Sequence, residues 1–147
     1  MHTEHLQNVR AGRVGAGWLV AIAVASLLML AFLGLDLFTS EGLLTPLGGL
    51  AAVALGFMAG GFFAGFRAIE APILHGLAIG VTSLVAWAFL NVIASVAFDT
   101  FEWSALTPAL AVSLLVVQMA TAVLGALLGY NMALRGRPGL SEHEPLE

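Results

Sequence analysis

Four long apolar stretches, separated by short polar segments, organise the chain. About 20 apolar residues in a helix span the ~30 Å hydrocarbon core of a bilayer, and within lipid a helix satisfies its own backbone hydrogen bonds. Proline follows three of the polar segments, at Pro46, Pro72 and Pro108, in the first helical turn where its missing N–H costs little. The pattern predicts an all-α membrane protein, a bundle of four transmembrane helices at about residues 14–35, 46–66, 72–98 and 108–134.

These helices are predicted to form one domain, residues 14–135, between two short tails. Residues 1–13 are predicted to be a cytoplasmic N-terminal tail, and residues 136–147 an acidic cytoplasmic tail that contains proline. Neither tail is long enough or apolar enough to fold alone.

All five Arg residues fall on one side of this four-pass trace. Arg10 and Arg13 precede helix 1, Arg67 lies between helices 2 and 3, and Arg135 and Arg137 follow helix 4. The two loops on the opposite side carry acidic residues and no cation. Because positively charged residues are retained in the cytoplasm, both termini are predicted to lie there (N-in, C-in), with the chain in a bacterial cytoplasmic (inner) membrane.

Composition agrees with a membrane location and excludes several functions. Of 147 residues, 60% are hydrophobic and 10% are charged, against about a quarter charged in a soluble domain. A net charge of -4 without any Lys leaves no basic surface, so no nucleic-acid partner is expected. The chain has no Cys, and the sequence contains no recognisable catalytic triad, metal-ligand cluster or phosphate-binding loop, so we predict no enzymatic activity.

Small residues recur at every fourth position in the predicted helices. A residue without a side chain lets two helix backbones approach closely, which matters in lipid because contact between two Leu side chains gains little over contact with lipid. The predicted helix-packing residues are Gly56, Gly60, Gly61, Gly65, Gly76, Gly80, Gly125 and Gly129. Because the turn between helices 2 and 3 is short, we expect the core interface between these two helices.

The two outer loops are similar in sequence. Their matching residues are 63 positions apart at the start of the loops and 62 positions apart at their ends. Residues 36–38 (Asp-Leu-Phe) and 44–46 (Leu-Thr-Pro) match residues 99–101 (Asp-Thr-Phe) and 106–108 (Leu-Thr-Pro). Each loop leads into a helix with glycines four apart and an Arg at its inner end. One interpretation is two parallel-repeat hairpins related by an axis along the membrane normal. The other is chance similarity between short apolar segments.

His75 is the one histidine inside a predicted span, about one turn into helix 3. An ionisable group within a membrane suggests function, and the spacing of Ala71 and His75 resembles the pigment-binding pattern of bacterial antenna helices. A haem would need a second ligand at matching depth, and a proton relay would need a buried carboxylate. We therefore expect a hydrogen-bonded structural histidine, with pigment or haem binding at His75 as the alternative, and no other cofactor or metal.

Asn91 in helix 3 and Gln118 in helix 4 are amides in the outer half of the membrane. Their depths predict an interhelical hydrogen bond worth on the order of 1 kcal/mol. Hydroxyl side chains in the spans are expected to bond to carbonyl groups of their own helices. Trp18 is expected at the membrane interface, whereas Trp87, near the middle of helix 3, is expected to pack internally or to face lipid.

Residues 60–68 read Gly-Gly-Phe-Phe-Ala-Gly-Phe-Arg-Ala and are followed by His75-Gly76 and by Gly80. This stretch resembles the middle of small four-helix bacterial membrane proteins of the uncharacterised YrzE-like type. In that family a Gly-Gly-x-x-Ala-Gly run ends helix 2, a basic turn follows, and a His-Gly or aromatic-Gly pair opens helix 3. The resemblance implies a four-pass fold and brings no established activity.

Two classes of function remain open. The favoured one is a structural or accessory subunit that packs through glycine-rich helix faces into a larger bacterial membrane complex, with energy-transducing complexes among the candidates. The alternative is an oligomeric small-solute transporter or channel component, against which the absence of charged residues within the spans argues. The expected partners are the lipid bilayer and either other membrane subunits or further copies of the chain.

Overall fold

Four α-helices make up the computed structural model, which describes residues 9–36, 44–68, 71–97 and 108–136. In chain order they are α1 (Ala11–Gly34), α2 (Leu44–Arg67), α3 (Pro72–Ala97) and α4 (Pro108–Arg135). Each is long and apolar enough to cross a membrane, and no strand occurs in the described segments. The predicted all-α architecture with four long apolar helices is confirmed. Most of the predicted N-terminal tail, the end of the acidic tail and both outer loops fall outside the described residues.

The helix ends lie within three residues of their predicted positions. Pro72 and Pro108 are the first residues of α3 and α4, and Pro46 lies in the first turn of α2. The main difference is at α1, which begins at Ala11 and so includes Arg13, a residue predicted to lie in the tail. A long arginine side chain in a terminal turn can extend to the membrane surface, so this charge does not delay the start of the helix.

Helix α2 is the centre of the bundle. It packs along α1 on one side and along α4 on the other, and these two interfaces are the most extensive. Helix α3 packs mainly against α4 and has smaller interfaces with α1 and α2. The expected core interface between helices 2 and 3 is therefore wrong. A short connection brings the end of α2 near the start of α3, but the small-residue faces of the two helices are turned toward other helices.

Helices α1 and α2 touch backbone to backbone at glycine. A Cβ atom on Gly56 would lie 2.7 Å from the carbonyl oxygen of Ala21. One on Gly60 would strike the carbonyl oxygen of Gly17 and lie 2.7 Å from the Ala21 Cβ. Non-bonded carbon and oxygen atoms do not approach so closely, so a larger residue fits at neither position unless the helices move apart.

The contact between α2 and α4 is parallel and reciprocal. In each of four places, a Cβ added to a glycine of one helix would strike a backbone carbonyl of the other helix. The pairs are Gly61 with Ala122, Gly125 with Met58, Gly65 with Ala126, and Gly129 with Phe62. A shift of 64 residues carries Gly61 to Gly125 and Met58 to Ala122, so each contact has an equivalent in the opposite direction. This reciprocity is the contact pattern of a twofold axis along the helices.

The α3/α4 hairpin repeats the contacts of the α1/α2 hairpin. In the second hairpin, a Cβ on Gly76 would lie 2.7 Å from the Val123 Cα, and one on Gly80 would lie 3.2 Å from the Met119 Cα. A shift of 59 residues carries Gly17 and Ala21 of α1 to Gly76 and Gly80. The 64-residue shift that relates α2 to α4 carries Gly60 to position 124 and Gly56 to position 120. Position 124 is one residue from Val123, and position 120 is one residue from Met119. The two hairpins therefore use small residues at matching positions of α1 and α3, whereas the contacted positions of α4 are displaced by one residue from the equivalents of those in α2.

The helix directions place all the described arginines at one end of the bundle. Arg10 and Arg13 lie at the start of α1, Arg67 is the last residue of α2, and Arg135 is the last residue of α4. We call this the arginine end and the opposite end the distal end. At the arginine end, the Arg67 guanidinium carbon lies 4.6 Å from the centre of the Phe63 ring.

The interior holds many small residues together with the large side chains of Phe57, Ile79 and His75, and the surface holds large apolar residues. Ala21, Ala122 and Ala126 are completely buried, whereas Phe89 is 64% exposed and Val96 is 82% exposed. In water this arrangement would be unfavourable, since exposed apolar area costs about 25 cal/mol per Å². Between lipid tails it carries no such cost, and close packing of small residues holds the helices together.

We expect the substitutions Gly61→Ala and Gly125→Ala to destabilise the bundle by similar amounts, about 2 kcal/mol each, because each added methyl group meets an equivalent backbone carbonyl. Thermal unfolding in detergent, followed by circular dichroism, measures the change. Gly15→Ala is the matched control, because no atom lies within 4 Å of a Cβ at Gly15. Equal unfolding temperatures for all three variants and the unmodified chain would show that the glycines do not hold α2 against α4.

Candidate functional site

His75 is completely buried at the arginine end, where α1 and α3 begin. Its Nδ1 atom lies 2.9 Å from the carbonyl oxygen of Ala71, one turn back in the chain. The backbone N–H of Arg10 donates to His75 Nε2 at 3.3 Å. His75 therefore connects the residue before α1 to the residue before α3, 65 positions apart along the chain.

These two hydrogen bonds select one tautomer of the neutral imidazole. A backbone N–H can only donate, so Nε2 must accept and be unprotonated. The proton of the neutral ring then lies on Nδ1 and is donated to Ala71. Both ring nitrogens are thus occupied within the chain.

The same geometry bears on pigment or haem binding at His75. A metal ligand needs an unprotonated ring nitrogen that points to open space. Here the unprotonated nitrogen accepts from Arg10, so an axial ligand role would require the start of α1 to move away. In the described part of the chain, no group of three or more His, Asp or Glu side chains could hold a metal ion.

Ala71 adopts a left-handed backbone conformation with φ of 52°, which is unusual for a residue with a side chain. Its carbonyl oxygen accepts from the His75 side chain and also from the His75 backbone N–H at 3.2 Å. The two bonds hold the first turn of α3 in a fixed orientation. Glu70, which the sequence places beside this turn, falls outside the described residues.

Asn91 and Gln118 do not form the expected interhelical hydrogen bond. The Asn91 Nδ2 atom donates to the carbonyl oxygen of Trp87 at 2.7 Å, within its own helix. Thr82, Ser95 and Thr121 donate to carbonyl oxygens three or four residues earlier in the same way. For a short polar side chain, a carbonyl of its own helix is always within reach, whereas a partner on another helix must match in depth and rotation.

Gln118 instead lines a lateral cavity between α3 and α4, which we call the α3/α4 cavity. Its volume is about 180 Å³. The residues that line it are Ser83, Leu84, Trp87, Ala111, Val112, Leu114, Leu115 and Gln118. At ~1.5 Å rise per residue, the segment from Ser83 to Trp87 lies roughly 20 Å from the start of α3, about half-way along this 26-residue helix.

Two of the residues that line this cavity were identified by sequence analysis. It singled out Gln118 as an intramembrane polar group and Trp87 as a tryptophan too deep to be an interfacial anchor. It did not bring the two residues together, and it assigned Ser83 only a bond to a carbonyl group of its own helix. Trp18 also differs from expectation, because its indole Nε1 is buried and has no hydrogen-bond partner among the described residues. Its ring packs against the core cluster that includes Ala21 and Ile79.

Comparisons with protein-family models, with curated proteins and with solved structures found no match to this chain. The function must therefore be inferred from the helix contacts, the polar side chains and the cavity. Two features stand out: the His75 link at the arginine end and the polar side chains in the distal half of α3.

We expect His75→Leu to destabilise the bundle by about 1 kcal/mol, because the partly buried hydrogen bond from the N–H of Arg10 is lost. Thermal unfolding in detergent measures the loss, and Thr82→Val is the control, since that hydroxyl bonds only within its own helix. Nitrogen NMR of the histidine ring provides a second readout, with the proton expected on Nδ1. A proton on Nε2, or a His75→Leu variant as stable as the unmodified chain, would contradict this assignment.

Proposed function

We propose that this chain is an integral protein of a bacterial cytoplasmic membrane, crossing it four times with both termini in the cytoplasm. Four arginines at one end of the bundle support this orientation, because cytoplasmic segments retain Lys and Arg. At the distal end the described residues include Asp36, which follows α1, and no cation.

We further infer that the two hairpins are copies of one ancestral unit. The reciprocal contacts of α2 and α4 at a shift of 64 residues support the inference, as do the equivalent glycine contacts at a shift of 59 between α1 and α3. The loop similarity at 63 and 62 residues is an independent, sequence-level observation.

We propose that the protein acts as a structural or accessory subunit of a larger membrane complex. The eight glycines predicted to pack helices all lie against helices of the same chain, so a partner must use another surface. The distal half of α3 is the surface that we favour, because no residue in positions 81–97 is buried. We expect a transmembrane helix of another subunit to lie along it.

A polar stripe on α3 carries this proposal. Ser83, Trp87, Asn91 and Ser95 follow one another at intervals of four and so share one face of the helix. Ser83 and Trp87 line the cavity, but Asn91 and Ser95 continue the stripe beyond it at an exposed position. The Asn91 amide uses one N–H within its own helix, so its remaining groups can bond to a partner. Polar side chains at membrane depth contact protein far more often than lipid.

The orientation can be tested by labelling single cysteines in whole cells, since the chain has none of its own. We expect a cysteine at position 40 to react with a membrane-impermeant reagent added outside, and one at position 140 to react only after the membrane is opened. Reaction of both positions from the same side would overturn the four-pass orientation.

The subunit role can be tested by native mass determination after gentle extraction from the source membrane. We expect a stoichiometric complex with a different protein, and we expect Asn91→Leu to dissociate it while leaving the fold intact. Ser26→Ala, at an exposed polar position on α1, is the matched control and should leave the complex unchanged. A homo-oligomer of this chain that conducts an ion or solute would support the transporter alternative instead.

A further inference from the structure

The α3/α4 cavity lies where the second hairpin departs from the first. In the first hairpin α1 and α2 remain close toward the distal end, where a Cβ on Gly49 would lie 3.6 Å from the Met29 side chain. The shift of 64 residues places Ser113 of α4 at the position equivalent to Gly49, and Ala120 at that of Gly56. Ser113 and Ala120 are exposed, so α4 has no glycine facing α3 at these positions, and small residues are what allow close approach. The cavity therefore lies where the two hairpins differ in sequence.

The residues around the cavity also differ from their equivalents in chemical character. The 64-residue shift pairs Gln118 of α4 with Ala54 of α2. The 59-residue shift pairs Ser83 and Trp87 of α3 with Val24 and Leu28 of α1. Three aliphatic positions of the first hairpin thus carry hydrogen-bonding side chains in the second. If the cavity were only a packing defect, the side chains at these three positions would not all need to be able to form hydrogen bonds.

The Gln118 amide makes no hydrogen bond to any residue that the structure describes, although its backbone carbonyl accepts from Thr121. An amide in an apolar wall near the membrane centre is costly when unpaired, and no bulk water is present there to compensate. A bound molecule with a carbonyl or hydroxyl group would remove that cost. The remaining walls, such as Leu84 and Leu115, are aliphatic, so the rest of the molecule must be apolar.

The volume limits the size of that molecule. A cavity of about 150 Å³ in another protein holds one benzene molecule. At about 180 Å³, the α3/α4 cavity has room for one substituted six-membered ring. Its place between two lipid-facing helices allows entry from within the bilayer.

We propose that the α3/α4 cavity binds a lipid-soluble, single-ring molecule that carries a carbonyl or hydroxyl group, with Gln118 as its hydrogen-bonding partner. Quinones and phenols have this chemistry. The proposal goes beyond the subunit role. The cavity is formed by α3 and α4 of one chain, and the partner contact proposed above depends on Asn91 and Ser95, which lie beyond the cavity.

Duroquinone and hexamethylbenzene form a matched pair of probes, since the second replaces each carbonyl oxygen by a methyl group at nearly the same size. Trp87 reports on binding by fluorescence quenching when Trp18 and Trp103 are replaced by Phe, because these three are the only tryptophans of the chain. We expect saturable quenching by duroquinone in the purified protein, together with a rise in its unfolding temperature.

Three variants test the assignment. Gln118→Leu should weaken duroquinone binding about fivefold, the effect of one lost hydrogen bond, and should leave hexamethylbenzene binding unchanged. Ala111→Phe should abolish binding of both probes by filling the cavity. Thr121→Val, on the same helix but outside the cavity lining, should change neither affinity. Circular dichroism establishes that each variant is folded.

Equal affinity of the unmodified protein for both probes would overturn the proposal, because Gln118 would then contribute nothing to recognition. Quenching that rises linearly with duroquinone and is equal in Ala111→Phe would overturn it as well, since that is the behaviour of a probe dissolved in the detergent. Neither result would affect the subunit proposal, which depends on Asn91 and on a second protein.

Discussion

Close approach of helix backbones at glycine is the constraint on which this structure depends. Helix α2 carries glycines on two faces, with Gly56 and Gly60 against α1 and Gly61 and Gly65 against α4. Two such faces make α2 the centre of the bundle and leave α1 and α4 on either side of it. Because lipid removes the hydrophobic drive that packs soluble helices, these contacts and a few hydrogen bonds determine which helices are neighbours. Among the hydrogen bonds, the one from Arg10 to His75 joins the ends of α1 and α3.

Sequence reasoning located the helices and the packing residues but not the neighbours. Proline at Pro72 and Pro108 and the length of the apolar stretches sufficed for the helix ends. Glycines four apart identify a helix face that packs closely against another helix. The spacing does not indicate which helix packs there. Proximity along the chain favoured α3 as the neighbour of α2, and the structure places α1 and α4 there. Likewise, the positions of Asn91 and Gln118 along their helices were predictable, whereas the local bond of Asn91 to Trp87 depends on its rotamer.

The likeness of the two hairpins makes their differences informative. Where the glycine contacts are equivalent, at the arginine end, the helices pack tightly and His75 is completely buried. Toward the distal end Gly49 of the first hairpin has Ser113 as its equivalent, and a cavity opens between α3 and α4. The proposed partner surface and the proposed ligand cavity both lie in this divergent half. One half of the bundle thus maintains the fold, and the other half provides the candidate sites.

The most direct test of this account is a through-space carbon correlation spectrum of the isotope-labelled, unmodified protein in lipid bilayers. The account predicts cross-peaks between the Cα atoms of Gly61 and Ala122, because a Cβ on Gly61 would lie 2.9 Å from the Ala122 Cα. It also predicts the reciprocal cross-peaks between Gly125 and Met58. Cross-peaks from Gly61 to Gly76 or Gly80 of α3, with none to α4, would contradict it.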